Sequence, residues 1–264
     1  MYGDYFDMIL KVGEDPARYL GAKSVALLDA FSLGCNWAFT TWGVLFEYYI
    51  PREEFDAFVI RKFNVPERWP MNLGTQSYIR FLGSNEPAAF DLYIEIHRDF
   101  IEQHGKPEGP EPNRTPSPEP NGDGLISLLA LMKERPAMYL GNAYSAEMLL
   151  ALCNGFFEGE LTIGVTKSLH GPLMTGFQEW MSARHPWALG RHWSRILAFR
   201  SLWSGKGSFE AFYVYWDLFL KRNPPDALTP AGQKLFDQAS QDGLMTKEEQ
   251  ESYKRTLREI FWSS

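Results

Sequence analysis

Cysteine is nearly absent: the 264 residues hold two, Cys35 and Cys153, too few for a disulfide-stapled scaffold. Each falls inside an apolar helical stripe and reads as a buried free thiol in a reducing compartment. Histidine is scarce as well. The five, His97, His104, His170, His185 and His192, do not fall at ligand spacings with carboxylates, and neither His-Glu-x-x-His nor paired Cys-x-x-Cys occurs, so no metal is expected. A phosphate-cradling glycine loop and a Gly-x-Ser-x-Gly turn are missing too. With them goes the expectation of a cofactor, and nothing in the chain declares an enzyme. No apolar run approaches the length needed to cross a bilayer. The opening Met1-Tyr2-Gly3-Asp4-Tyr5-Phe6-Asp7 is acidic and aromatic rather than a secretion signal. A soluble cytoplasmic protein with no membrane partner is therefore expected. Positive charge is in deficit, with a net of −7, which disfavours a dedicated nucleic-acid binder. Alternating β-branched runs are few, so the fold is expected to be mainly α.

Aromatic residues, by contrast, abound: 9 Trp, 12 Tyr and 19 Phe are ample for two packed cores. The chain also repeats itself. Asp15-Pro16-Ala17-Arg18-Tyr19-Leu20-Gly21 is echoed by Arg135-Pro136-Ala137-Met138-Tyr139-Leu140-Gly141. With one residue inserted, the stretch from Ser24 to Gly34 then runs beside the stretch from Ser145 to Gly155, and Ser24 and Ser145 stand where a helix N-cap belongs. Phe55 and Phe58 answer to Phe177 and Trp180, Ser77-Tyr78-Ile79 to Ser194-Arg195-Ile196, and Phe90, Asp91 and Phe100 to Phe209, Glu210 and Phe219. The expected architecture is two tandem, diverged helical repeats joined by a Pro-rich linker, with C-terminal helices added. In each copy Pro16 or Pro136 ends the helix before it, Tyr19 or Tyr139 anchors the crossing, and Gly21 or Gly141 permits the backbone turn. These six residues predict a structural helix-helix corner.

The expected boundaries follow composition. Residues 1–104 form copy one, 105–124 a flexible linker carrying six prolines, 125–222 copy two and 223–264 the helical extension. Copy one carries 9 basic against 15 acidic side chains and copy two 10 against 7, so an acidic twin is joined to a basic one. Helices are expected at 5–12, 24–40, from Arg52 to before Pro66, at 75–82 and 87–103, then at 125–134, 145–158, 171–184, 191–203 and 207–221, with a less regular passage at 159–167. In the extension, Thr229-Pro230 and the capping box Thr246-Lys247-Glu248-Glu249 each open a helix. These helices are expected to pack on copy two through Leu235, Phe236, Leu257, Ile260 and Phe261.

Two surfaces are candidates for function. On copy one, Glu53, Glu54 and Asp56 beside Tyr48 and Tyr49 could face a basic partner and hasten encounter, or simply start a helix in solvent. On copy two, Arg184, His185, Arg191, His192, Arg195 and Arg200 are interleaved with Trp180, Trp187, Trp193 and Trp203, the mixture that holds phosphates and stacks bases, with Arg184, Arg191, Arg195 and Lys206 the candidate phosphate contacts; the same rings are also what a core needs. Glu95 and Asp99 share a helix face and read as solvated. The turn from Ser201 to Gly207 is a weak candidate for an anion.

The Pro-x-Met-Tyr-Leu-Gly phrase, between two apolar helices, resembles a motif of small helical bacterial proteins found among the immunity proteins of polymorphic and type VI secreted toxins. Copy one departs from it at Arg18, where copy two has Met138. The resemblance implies a cytoplasmic protein partnered by a cognate toxin domain, which it neutralises by binding and covering the active site. The phrase is also similar to a segment of type II topoisomerase ATPase subunits, whose magnesium- and nucleotide-holding motifs have no counterpart in this chain. The alternative function is nucleotide or nucleic-acid binding through the Arg/Trp cluster.

Overall fold

The computed structural model describes residues 5–44, 52–65, 74–105, 124–141, 144–165, 168, 170–185, 188, 190–204 and 207–222, with only the backbone of residues 5, 6, 52, 53, 74–77, 203, 204 and 222. Among the described residues every regular element is a helix, twelve in all, and no strand occurs. The mainly α expectation is met. The expected linker, apart from Gly105 and Gly124, and the expected C-terminal helices lie outside the described residues. Two compact units divide the chain, Met1–His170 and Gly171–Ser264, so 105–124 falls inside the first.

The first unit opens with α1 (Tyr5–Glu14) and α2 (Pro16–Leu20). Asp15 caps α2, its carboxylate accepting the Arg18 amide at 3.2 Å. Gly21 closes it at φ 80, donating to the Pro16 and Ala17 carbonyls at 3.1 Å each. The corner expected as a bend is thus a single helical turn with Pro at its first position, where the missing N–H costs nothing. α7 (Gly124–Glu134) and α8 (Pro136–Leu140) follow in the same order, with Arg135 at φ −137 against Asp15 at φ −140, but Arg135 makes no side-chain cap bond and Gly141 takes φ 73, ψ −156 in place of the left-handed turn of Gly21.

α3 (Val25–Thr41) and α9 (Ala146–Thr162) are 17 residues each. Both expected caps form: Ser24 accepts the Leu27 amide at 3.3 Å and Ser145 the Met148 amide at 3.4 Å. Both helices also end alike. Gly43 and Gly164 take positive φ, while the Val44 and Val165 amides reach back to the Phe39 and Glu160 carbonyls at 2.9 Å each, the six-to-one bond of a Schellman cap. The irregular passage expected from residue 159 is therefore helical as far as Thr162, and Gly159 belongs to the helix.

The reason lies in how α3 and α9 meet. A Cβ placed on Gly34 would strike the Leu152 carbonyl oxygen, one on Gly155 the Phe31 carbonyl oxygen, and one on Gly159 the Cys35 backbone. Phe31 meets Gly155, Cys35 meets Gly159 and Trp42 meets Glu160 in turn, so the helices run parallel with their backbones touching. Gly34-x-x-x-Ala38 and Gly155-x-x-x-Gly159 supply the small residues that such closeness requires. Asn154 adds a bond from its amide to the Tyr19 carbonyl at 2.9 Å, tying α9 to α2. Cys35 and Cys153 are buried and unbridged, and burial pushes both thiols up, Cys153 to about 12.

In the same unit α4 (Arg52–Phe63), α5 (Gly74–Leu82) and α6 (Glu86–His104) share an aromatic core. Phe100 stands edge-on to Phe55 and to Phe58 at 5.4 Å each, and His97 packs 4.5 Å from Phe55. Lys62 lies over Phe58 and pairs with Asp99. Of the two acids expected in solvent, Glu95 is exposed and Asp99 is engaged in that pair.

The second unit contains α10 (Gly171–Arg184), α11 (Trp193–Ser204) and α12 (Ser208–Arg222). Its core has the same plan. Phe219 lies 5.4 Å from Phe177 and 5.9 Å from Trp180, Trp216 lies 5.2 Å from Phe177, and Arg184 lies 4.7 Å from the Trp180 ring. Fully buried rings such as Phe177, Phe212 and Phe219 each contribute about 2 to 3 kcal/mol by leaving water.

Candidate functional site

Tyr19, Leu20 and Leu140 are buried, Tyr139 is half-buried, and Gly21 and Gly141 take positive φ. Tyr19 meets Phe31 edge-on at 5.9 Å, which fastens α2 to α3. Met138, the residue that distinguishes the second phrase from the first, points outward and is 69% exposed.

Of the acidic candidates, Tyr48 and Tyr49 lie outside the described residues, and Glu53 is placed only by its backbone on α4. Glu54 is exposed beside a shallow concavity shared with Ala57, Arg61 and His104, and Asp56 is half-buried. Glu54 and Asp56 are two apart on a helix, so they do not share a face.

The basic candidates separate into different environments. Arg184 is buried over Trp180, a placement in which the guanidinium is attracted to the ring face. Lys206 lies outside the described residues. Arg191 and Arg195 are exposed, and the structure brings them together around one concavity of about 440 Å³ walled by Ala188, Ile196 and Phe199. Trp180 and Trp193 are buried in the core, so those rings do not stack bases. Trp187 is outside the described residues, as is the Trp203 side chain.

A glutamine that the sequence did not single out sets the geometry there. Gln178 of α10 accepts the Trp193 amide at 2.7 Å and donates to the Arg191 carbonyl at 3.0 Å and to Ser182 at 2.9 Å. It thereby clamps the turn on which Arg191 stands and fixes the start of α11 at Trp193, two residues before Arg195. Trp193, 5.0 Å from Phe212 and 5.7 Å from Phe177, anchors the same point from below.

One other polar group was missed. Glu160 is buried, and the Trp42 indole donates to its carboxylate at 3.0 Å. Burial raises its pKa, opposed by the Ser168 and Trp42 hydrogen bonds. Neither an indole nor a hydroxyl titrates near neutrality, so this is a tie between the ends of α3 and α9 rather than an acid-base pair. Among the described residues no group of three or more His, Cys, Asp or Glu could hold a metal ion, and no helix is long and apolar enough to cross a membrane.

Comparison with protein-family models, with curated proteins and with solved structures finds nothing that matches this chain.

Proposed function

We propose that the chain is a cytoplasmic interaction protein of the immunity type, which neutralises a cognate bacterial toxin domain by binding it and covering its active site. The observation that carries the reading is where large apolar side chains are left in water. Phe81 and Leu82 on α5, Phe199 and Leu202 on α11, and Val214 and Leu218 on α12 are all exposed. Paired exposure of this kind on surface helices is what a protein-binding face looks like, whereas single scattered residues would need no explanation. The toxin itself enters through the resemblance of the Pro-x-Met-Tyr-Leu-Gly phrase.

The same reading takes residues 1–104 and 125–222 as copies of one unit, joined through a Pro-rich linker and extended by helices after residue 222. Three observations support it. Gly34 against Leu152 and Gly155 against Phe31 are one contact made twice with the partners exchanged, the signature of an isologous pair. The caps of α3 and α9 match at both ends. The Phe55–Phe100 and Phe177–Phe219 pairs, and the cations Lys62 over Phe58 and Arg184 over Trp180, recur at corresponding positions. A duplicated unit that keeps its core while its two surfaces diverge in charge is suited to gripping a partner at two places. Tyr48, Tyr49, Glu53, Glu54 and Asp56 are the proposed contacts on the acidic copy.

The test is genetic and direct: co-express the chain with the product of the adjacent reading frame. Rescue of growth, with a complex that survives purification, is expected; a harmless neighbour and no captured protein would discard the immunity reading. The concavity between Arg191 and Arg195 supports a second reading, nucleotide binding. It requires saturable nucleotide binding that Arg191→Ala with Arg195→Ala abolishes.

A further inference from the structure

We propose that the outer face of α11 and the turn before it form a docking site for an acidic polypeptide segment carrying an apolar side chain. This rests on the interaction reading and names the chemistry of one partner surface. Four observations lead there.

First, the guanidinium groups of Arg191 and Arg195 make no ion pair or side-chain hydrogen bond among the described residues. Elsewhere Lys23, Lys62 and Arg80 are paired with Asp91, Asp99 and Glu86. Two cations without an acidic partner among the described residues, set beside one concavity, are placed to receive acceptors from outside. Second, the apolar side chains lie in register with them. Arg195, Phe199 and Leu202 follow at i, i+4 and i+7, which places them on one helix face over roughly 10 Å. Phe199 is 44% and Leu202 75% exposed. Arginine and aromatic side chains are enriched at protein-binding interfaces, and Leu202 adds apolar surface beside them.

Third, the site is rigid. Gln178 fixes the turn through the Arg191 carbonyl and the Trp193 amide, and the Ala188 carbonyl accepts the Arg191 amide at 2.9 Å. With the backbone at Arg191 already braced and Arg195 on a helix, binding has to order the two side chains and not the backbone that carries them. Fourth, the fold does not require them. If the copies correspond, Arg195 stands where the first copy has Tyr78, a buried ring, while the neighbouring Ile79 and Ile196 are buried in both. The isoleucine position stays in the core, whereas the ring buried at Tyr78 has given way to an exposed cation at Arg195.

The elongated, open row favours a polypeptide over a small anion. Carboxylates would pair with Arg191 and Arg195, and the apolar side chain would lie between Phe199 and Leu202.

The experiment titrates the full chain into a fluorescein-labelled peptide of alternating Glu and Leu/Phe residues. Controls are the same peptide with Lys for Glu and a Glu-Gly peptide without apolar residues. Saturable binding of the first peptide alone is expected. It should weaken about thirtyfold in the Arg191→Glu, Arg195→Glu double variant and about tenfold in Phe199→Ala, and decline as salt rises. All three side chains are exposed, so circular dichroism should show the variants folded; should Phe199→Ala not fold, Leu202→Ser replaces it. Equal binding by the double variant, or no binding by the parent, overturns the proposal. Displacement of the peptide by ATP or tripolyphosphate at lower concentration would overturn it in favour of a small-anion site. Low-salt dimerisation that the double variant loses would overturn it in favour of a second copy as occupant. The growth-rescue assay reads the immunity proposal separately: rescue without peptide binding would leave that proposal standing and remove this one.

Discussion

At the scale of single residues, His97 shows how burial turns an ordinary side chain into a liability under acid. Its ring lies between Phe55 and Tyr93, with centroids at 4.5 and 4.3 Å, and its Nδ1–H donates to the Tyr93 carbonyl at 2.8 Å. Desolvation opposes the charged form and lowers the pKa from 6.5 to about 4, although the backbone bond acts the other way. The folded state thus refuses a proton that the unfolded chain accepts. Stability is therefore intact above pH 6.5 and lost as pH falls from there towards 4. Between pH 7 and pH 4.5 the loss from this group is about 2.5 kcal/mol. His97→Phe keeps the aromatic packing and removes the titration, so urea unfolding at the two pH values should show a smaller difference for the variant by about that amount. An equal difference would place the acid sensitivity elsewhere.

Ser24 and Ser145 make a second comparison at this scale. Both cap a helix, yet Ser24 also donates to Glu86 at 2.8 Å, and Glu86 takes the Val25 amide at 3.1 Å and pairs with Arg80 at 2.6 Å. Burial raises the Glu86 pKa, but the Ser24 and Arg80 interactions prevail and hold it below the usual range. Ser145→Ala should cost about 1 kcal/mol, the value of a cap. Ser24→Ala should cost about 2 kcal/mol, because a half-buried carboxylate loses a donor as well. Equal losses in denaturant midpoint would show that the link to Glu86 contributes nothing. Serine before an apolar period was enough to foresee both caps; the Glu86 bond joins residues far apart in the chain and left no trace in local pattern.

At the scale of elements, most helix boundaries were readable because Pro, Ser and Gly mark ends by local mechanisms. α10 runs from 171 to 184 as expected. α9 was cut short at 158 because Gly159 looks like a breaker when only the local chain is considered. In the fold it is required, since its missing side chain lets the α3 backbone approach. The pairing of α3 with α9 was not legible for the same reason: Gly34, Gly155 and Gly159 advertise flexibility in a sequence and close packing in a structure. Gly34→Ala and Gly155→Ala decide between these meanings. In an open helix each exchange would stabilise by about 1 kcal/mol. Here the new methyl meets a carbonyl oxygen, and each variant should lose about 3 kcal/mol or more by overpacking. The double variant should lose less than the sum, because both widen one interface. A gain in stability from either would show that the backbones are not in contact.

At the scale of the whole molecule, composition had foretold a mainly helical chain with ample aromatic side chains for its core, and the echo of phrases had marked which stretches resemble one another. What neither could convey is that a stretch after the Pro-rich segment packs with what precedes it: α9 lies on α3 within one compact unit. The expected repeat boundary and the packing boundary differ because a repeat would record descent, whereas packing follows where the small-residue faces can meet. That difference can be put to a physical test on the intact chain. A protease site introduced between Pro107 and Pro120 and then cut would leave two pieces with no covalent link. If α3 and α9 hold them, the pieces should co-elute in size-exclusion chromatography and unfold together. The same cut in a Gly155→Leu background should release them, because the larger side chain forces apart the helices that join one piece to the other. Separation of the cut parent chain would mean that the paired glycines hold nothing together, and the isologous pairing proposed for the two copies would fall with them.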